Sequence, residues 1–148
     1  MLRALAGFLF GTPGSAEEYE TTYRNIVGEL DPVSAAERMR GGVQHNTEKA
    51  GALLAAQGIF TVADTFALDH GWPKILILVS LGCLIVGTFL VMSILRSTMR
   101  MYRHPAERAD PVRQIFALLL SRMIRFNTAL YLTFLSILLL GIAALSFV

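Results

Sequence analysis

Two runs without a charged side chain, residues 75–95 and 126–148, flank a segment that holds seven of the chain's thirteen basic residues, all arginine. The runs are 21 and 23 residues long, and about 20 apolar residues in a helix cross a hydrocarbon core of about 30 Å. Leu, Ile, Val and Phe supply fourteen positions of the first run and thirteen of the second. On an insertion scale that favours the bilayer by roughly 4–8 kcal/mol for each run. A water-soluble fold has no place for two such runs, so the expected fold is all-α, an integral membrane helical protein.

Residues 50–68 are less apolar, with seven strongly apolar side chains and one charge, Asp64. Those seven give roughly 2–4 kcal/mol, which an aspartate at mid-membrane, at about 2.5–3.5 kcal/mol, would cancel. Orientation decides the matter. The arginine-rich residues 96–125 belong in the cytosol by the positive-inside rule. If 50–68 did not span, the first 49 residues would then be exported without a visible signal. Three transmembrane helices are therefore predicted, at about 50–68, 75–95 and 126–148, with a cytoplasmic N-terminus and an outward C-terminus in a bacterial inner membrane.

The chain divides into residues 1–49, with five basic and seven acidic side chains, and a membrane domain, residues 50–148. The first part is too short to bury a core of its own. Residues 1–10 read as a short interfacial helix with Leu2, Leu5, Phe8 and Leu9 toward the acyl chains. Ser15 and Glu18 have capping-box spacing, which predicts a polar helix to about Leu30. Asp31 and Pro32 restart the chain as N-cap and first helical residue, with Ser34 and Glu37 as an overlapping capping pair. Gly41 and Gly42 should end that helix, and Asn46 or Thr47 should cap the next. Asp110 and Pro111 repeat the start signal for the last helix. From Pro111 to Val148 is 38 residues, about 57 Å of helix, so its first turns should lie in or below the cytosolic headgroups.

Gln57, Thr61, Asp64 and Thr65 share one face of the first span, with the small residues Ala52, Ala55, Ala56 and Ala63 opposite, suited to close helix approach. An ionisable group in a span is a candidate for a proton relay or ion path. The plainer account puts Asp64 about 6 Å below Leu68, within reach of water, because the other two spans offer no ionisable partner. Gln57 and Thr61 read as interhelical hydrogen-bonders. Cys83 and Gly87, four apart, suit a packing surface.

Arg96, Arg100, Arg103, Arg108, Arg113, Arg122 and Arg125 form a basic collar. Anionic headgroups account for it at about 1 kcal/mol per side chain. A phosphate site is the sharper alternative, built on Arg96, Arg100, Arg103 and Arg113, because guanidinium forks bind phosphate bidentately. The basic excess is local and few aromatics accompany it, which argues against nucleic acid. His45, His70 and His104 have no metal-ligand spacing, and no phosphate loop or serine elbow is present. No enzyme activity, metal or cofactor is expected. Cys83, the single cysteine, excludes an intramolecular disulfide.

Glu48, Lys49 and Ala50, followed by Leu53, Leu54, Ala55, Gln57 and Gly58, resemble the start of the first membrane helix in small transmembrane effectors of bacterial anti-phage signalling of the Pycsar type. The arginines after the second span and the Arg125-Phe126 step into the last one are similar in style. Gln57 stands where those proteins have Asn. The resemblance implies a non-enzymatic antiviral defence effector that senses a cyclic nucleotide in the cytosol, forms a homo-oligomer and impairs the inner membrane. An alternative reading from a different class is an accessory subunit of a larger respiratory, photosynthetic or secretory membrane complex. A proton-coupled transporter using Asp64 is a third. Membrane lipids are partners in every case.

Overall fold

The computed structural model describes residues 16–28, 30–101 and 111–147. Four helices occupy them: α1 Ala16–Val27, α2 Pro32–Asp69, α3 Lys74–Met101 and α4 Pro111–Phe147. The interfacial helix expected over residues 1–10 and the Ser15 cap lie outside the described residues.

Glu17 and Glu18 in its first turn and Arg24 in its last complement the dipole of α1. Tyr19, Tyr23 and Val27, spaced by four, form its packing face against a buried cluster of Ala35, Met39, Val112, Ile115 and Phe116. Tyr19 and Tyr23 meet the Phe116 ring edge-on, with centroids 4.9 and 5.4 Å away. The helix stops at Val27, short of the expected Leu30, where the Gly28 N–H bonds the Arg24 carbonyl at 2.6 Å and the chain turns.

Asp31 caps α2 as expected: its Oδ1 accepts from the N–H groups of Val33 and Ser34, both at 2.8 Å. Those two amides, with the Ser34 hydroxyl on Oδ2, hold its carboxyl below the usual range, the Ser34 amide contributing most. Ser34 is thus inside the helix and serves Asp31; it does not form a second cap.

The expected break at Gly41 and Gly42 is absent, and α2 runs 38 residues without interruption. Two interior glycines cost about 1 kcal/mol each, and packing on both sides outweighs them. Ala35 and Met39 are buried before the pair and Ala50 after it, and Gly42 lies over the Leu119 side chain. Thr47, expected as a cap, bonds back to the Val43 carbonyl inside the helix. The boundary drawn between residues 49 and 50 therefore falls within one continuous helix.

α2 ends in a Schellman turn. Gly71 takes φ +80°, its N–H reaches the Leu68 carbonyl, and the Trp72 N–H reaches Ala67. Trp72 then packs on the cluster of Ala67, Ile77 and Ala143 and stacks on Phe147. This tight reversal sets α3 antiparallel to α2, and α4 packs against both.

Burial in the bundle repeats every three and four residues, as in a coiled coil. On α3 the enclosed positions are Ile77, Ser80, Leu84, Gly87, Val91 and Ile94; on α4 they include Arg122, Ala129, Thr133, Ser136 and Ala143. On α2 they are Ala50, Leu53, Gln57, Asp64 and Ala67. Outward, Ile59, Val62, Phe66, Ile75, Leu78, Phe89, Phe134, Leu138 and Leu145 are exposed, an apolar belt that only lipid or another apolar surface can cover. Three helices, over Val33–Asp69, Lys74–Arg96 and Gln114–Phe147, are long and apolar enough to cross a membrane. The chain is an all-α membrane protein. At 38 and 37 residues, α2 and α4 reach about 57 and 55 Å. They overshoot the bilayer at the Pro32 and Pro111 ends, where α1 joins them in a small head.

Candidate functional site

The seam of the bundle holds two apolar clusters with polar side chains between them. One cluster, nearer the head, contains Ala50, Leu53, Val91, Ile94 and Ala129; the other surrounds Ala67, Ile77 and Ala143. Two polar layers separate them, and a third polar contact lies on the head side.

Gln57 makes the middle layer. Its amide nitrogen donates to Thr133 Oγ1 at 2.9 Å, and its oxygen accepts from Thr88 Oγ1 at 3.1 Å. The Thr133 hydroxyl spends its proton on the Ala129 carbonyl at 2.8 Å, so toward Gln57 it can only accept, which fixes the amide orientation. Gly87 makes room: a β-carbon there would stand 2.6 Å from Gln57 Nε2. One side chain thus joins all three spans.

Asp64 makes the second layer, fully enclosed. Ser80 Oγ donates to Asp64 Oδ2 at 2.6 Å and lies 2.7 Å from Ser136 Oγ and 3.2 Å from the Ser136 carbonyl. Asp64 Oδ1 is buried and has no hydrogen-bond partner among the described residues. Asp64 is therefore enclosed by the seam and not open to water as its distance from Leu68 alone suggested. Position along one helix says how far a residue is from the end, whereas the seam position turns this one inward.

At the head end, Arg122 is enclosed and its Nη1 donates to Thr47 Oγ1 at 3.2 Å, tying α4 to α2. Arg125 Nη1 donates to Ser93 Oγ at 3.3 Å, tying α4 to α3. These two members of the expected collar are interhelical ties. Of the arginines assigned to phosphate, Arg96 is exposed at the head end of α3. Arg103 and Arg108, and the side chains of Arg100 and Arg113, lie outside the described residues.

Thr61 does not cross between helices as expected; it is half-buried and donates to the Gln57 carbonyl of its own helix. The small-residue face is reversed as well. Ala52 and Ala55 are exposed and Ala56 is half-buried, so within the chain the polar face of α2 does the packing. Gly87 is enclosed against Gln57 of the same chain, and Cys83, one turn away, is half-buried.

Ser80, Thr88, Ser93, Thr133 and Ser136 escaped the sequence reading, and Thr47 entered it only as a helix cap. Ser80, Gly87, Thr133 and Ser136 stand at the three-four spacing of their own spans, a signal visible only when the spans are aligned as a coiled coil. Among the described residues, no three His, Cys, Asp or Glu side chains gather to hold a metal ion. No protein-family model, curated protein or solved structure matches the chain.

Proposed function

We propose that this chain is a non-enzymatic protein of the bacterial inner membrane that acts by association of its helices, with the head in the cytosol. The orientation rests on charge. Lys49, Arg96, Arg122 and Arg125 mark the head side of the spans, and basic residues stay inside.

The observation that carries the reading is an uncovered stripe on α2. Gly51, Ala55, Gly58 and Val62 fall on one outward face, and a β-carbon added at Gly51 or Gly58 would meet nothing within 4 Å. Small residues at this spacing let helix backbones of separate copies approach closely. The same helix continues without a break into the head, so an event there is felt at the stripe. In the defence-effector form of this reading, a cyclic nucleotide meets the arginines around the head, protomers pack through α2, and the bilayer leaks. Gly87, which faces Gln57 in the same chain, takes no part in that packing.

Induced expression with a dye-uptake assay, with and without a cyclic pyrimidine nucleotide, tests this. Gly51→Leu with Ala55→Leu should abolish dye entry while leaving the protomer's thermal unfolding unchanged. Leakage equal to that of the parent chain, or no leakage from the parent under either condition, removes the reading.

The accessory-subunit reading draws on Leu30 and Val33, which leave an uncovered apolar corner on the head. It fails if the protein purifies from mild detergent only with itself.

A further inference from the structure

The Asp64 layer contains a buried carboxyl oxygen, Oδ1, that the described residues leave without a hydrogen-bond partner. We propose that Asp64, Ser80 and Ser136 form a binding site for a dehydrated monovalent metal cation of the Na+ class. The inference does not depend on the association reading above.

Asp64 is fully enclosed, accepts a single hydrogen bond, from Ser80, and leaves Oδ1 without a partner among the described residues. No ammonium or guanidinium among them pairs with it. Arg122, the enclosed cation of the bundle, bonds Thr47, which precedes Asp64 by 17 residues, about 26 Å along α2. An uncompensated carboxylate inside an apolar bundle is costly, so a positive species completes the layer.

The donors say which. Around Ser80 Oγ stand Asp64 Oδ2 at 2.6 Å, Ser136 Oγ at 2.7 Å and the Ser136 carbonyl at 3.2 Å. All are oxygens, they come from three helices, and the hydroxyl protons can rotate away to present lone pairs. Hard cations take such ligands. One carboxylate balances one positive charge; a divalent ion would leave the bundle with a net charge of its own. A proton fits the geometry less well. On Oδ1 it meets no acceptor, and on Oδ2 it leaves Oδ1 without a donor, whereas a metal cation beside Oδ1 engages that atom directly. Asp64 lies five residues from Asp69, the end of α2, about 7.5 Å, so the path from the far side of the membrane is short. A cation held there clamps the three spans together at that depth.

The full chain in lipid nanodiscs, compared in NaCl, KCl and choline chloride at constant ionic strength, tests the site by thermal unfolding and by carbodiimide labelling of Asp64 read by mass spectrometry. Na+ should raise the unfolding temperature by several degrees over choline and slow the labelling about tenfold. Asp64→Asn should lose the Na+-dependent rise. Ser136→Ala should need about tenfold more Na+ for the same rise, measured relative to its own unfolding temperature in choline. Identical unfolding of the parent chain in Na+ and choline overturns the proposal, as does an undiminished Na+ response in Asp64→Asn. Labelling that follows pH and ignores Na+ would identify a proton site and equally overturn it.

Discussion

Gly87→Ala is a one-carbon change whose outcome separates a packed polar seam from a loose one. The new β-carbon would stand 2.6 Å from Gln57 Nε2 and 3.6 Å from the Ala129 carbonyl. Gln57 must move, yet its nitrogen is held by Thr133 and its oxygen by Thr88. Losing two interhelical hydrogen bonds in a membrane costs about 0.6–1.7 kcal/mol each. Forcing a methyl into a filled seam adds about 1–3 kcal/mol, and replacing glycine in a helix returns up to about 1 kcal/mol. The net expectation is destabilisation of roughly 2–4 kcal/mol by the balance of those effects. Unfolding in mixed micelles at increasing denaturing-detergent fraction measures it. Gly82→Ala is the control, because a β-carbon there meets nothing within 4 Å on the same helix; it should be neutral or stabilising. Adding Gln57→Ala to Gly87→Ala should remove the clash and recover part of the loss. The reasoning is refuted if Gly87→Ala is as stable as Gly82→Ala, or if the double variant shows no coupling between the two positions.

Phe116→Ala should release α1, because both of its tyrosines rest on that ring; a core loss of about 3–5 kcal/mol would appear as rapid hydrogen exchange in the head while the spans stay protected. Exchange confined to its normal rate over α1 would contradict the contact. Asp31 titrates below its ordinary 3.8 in the folded chain, so its cap stabilises the start of α2 above that value and the contribution fades as pH falls through the lowered one. Protection of the Val33 and Ser34 amides, taken relative to their intrinsic exchange rate at each pH, should fall across that acidic window in the parent chain and change little with pH in Asp31→Asn. Thr47→Val should loosen the head-side tie to Arg122, seen as faster exchange around residues 43–50, with the Gln57 layer unaffected.

The three spans, the Asp31 cap and the start of α4 at Pro111 were legible in the sequence because each depends on local composition or on a side chain bonding its own neighbours. What was not legible depends on the partner helix. Gly41 and Gly42 look like a terminus until the Leu119 side chain is known to lie against Gly42. Asp64 looks wet when only its distance from Leu68 is weighed, since depth carries no information about azimuth. The alanine face looked like the contact surface because small residues permit close approach, yet Gln57 finds hydroxyls on both neighbours and Asp64 finds one on α3, and both take the inner side. Thr61, one turn from Gln57, shares its stripe in a 3.6-residue count and leaves it in a 3.5-residue one. A seam of polar side chains is recognisable from sequence only when the serines and threonines of the other spans are counted at that spacing.

The unbroken course of α2 from Pro32 to Asp69 makes it a shaft without a universal joint. A step of one residue about its axis, roughly 100°, would swing both Gln57 and Asp64 out among the acyl chains, so the two layers act as keys that lock its angle. Torque applied at the head end meets those keys before it can reach the opposite end of the helix.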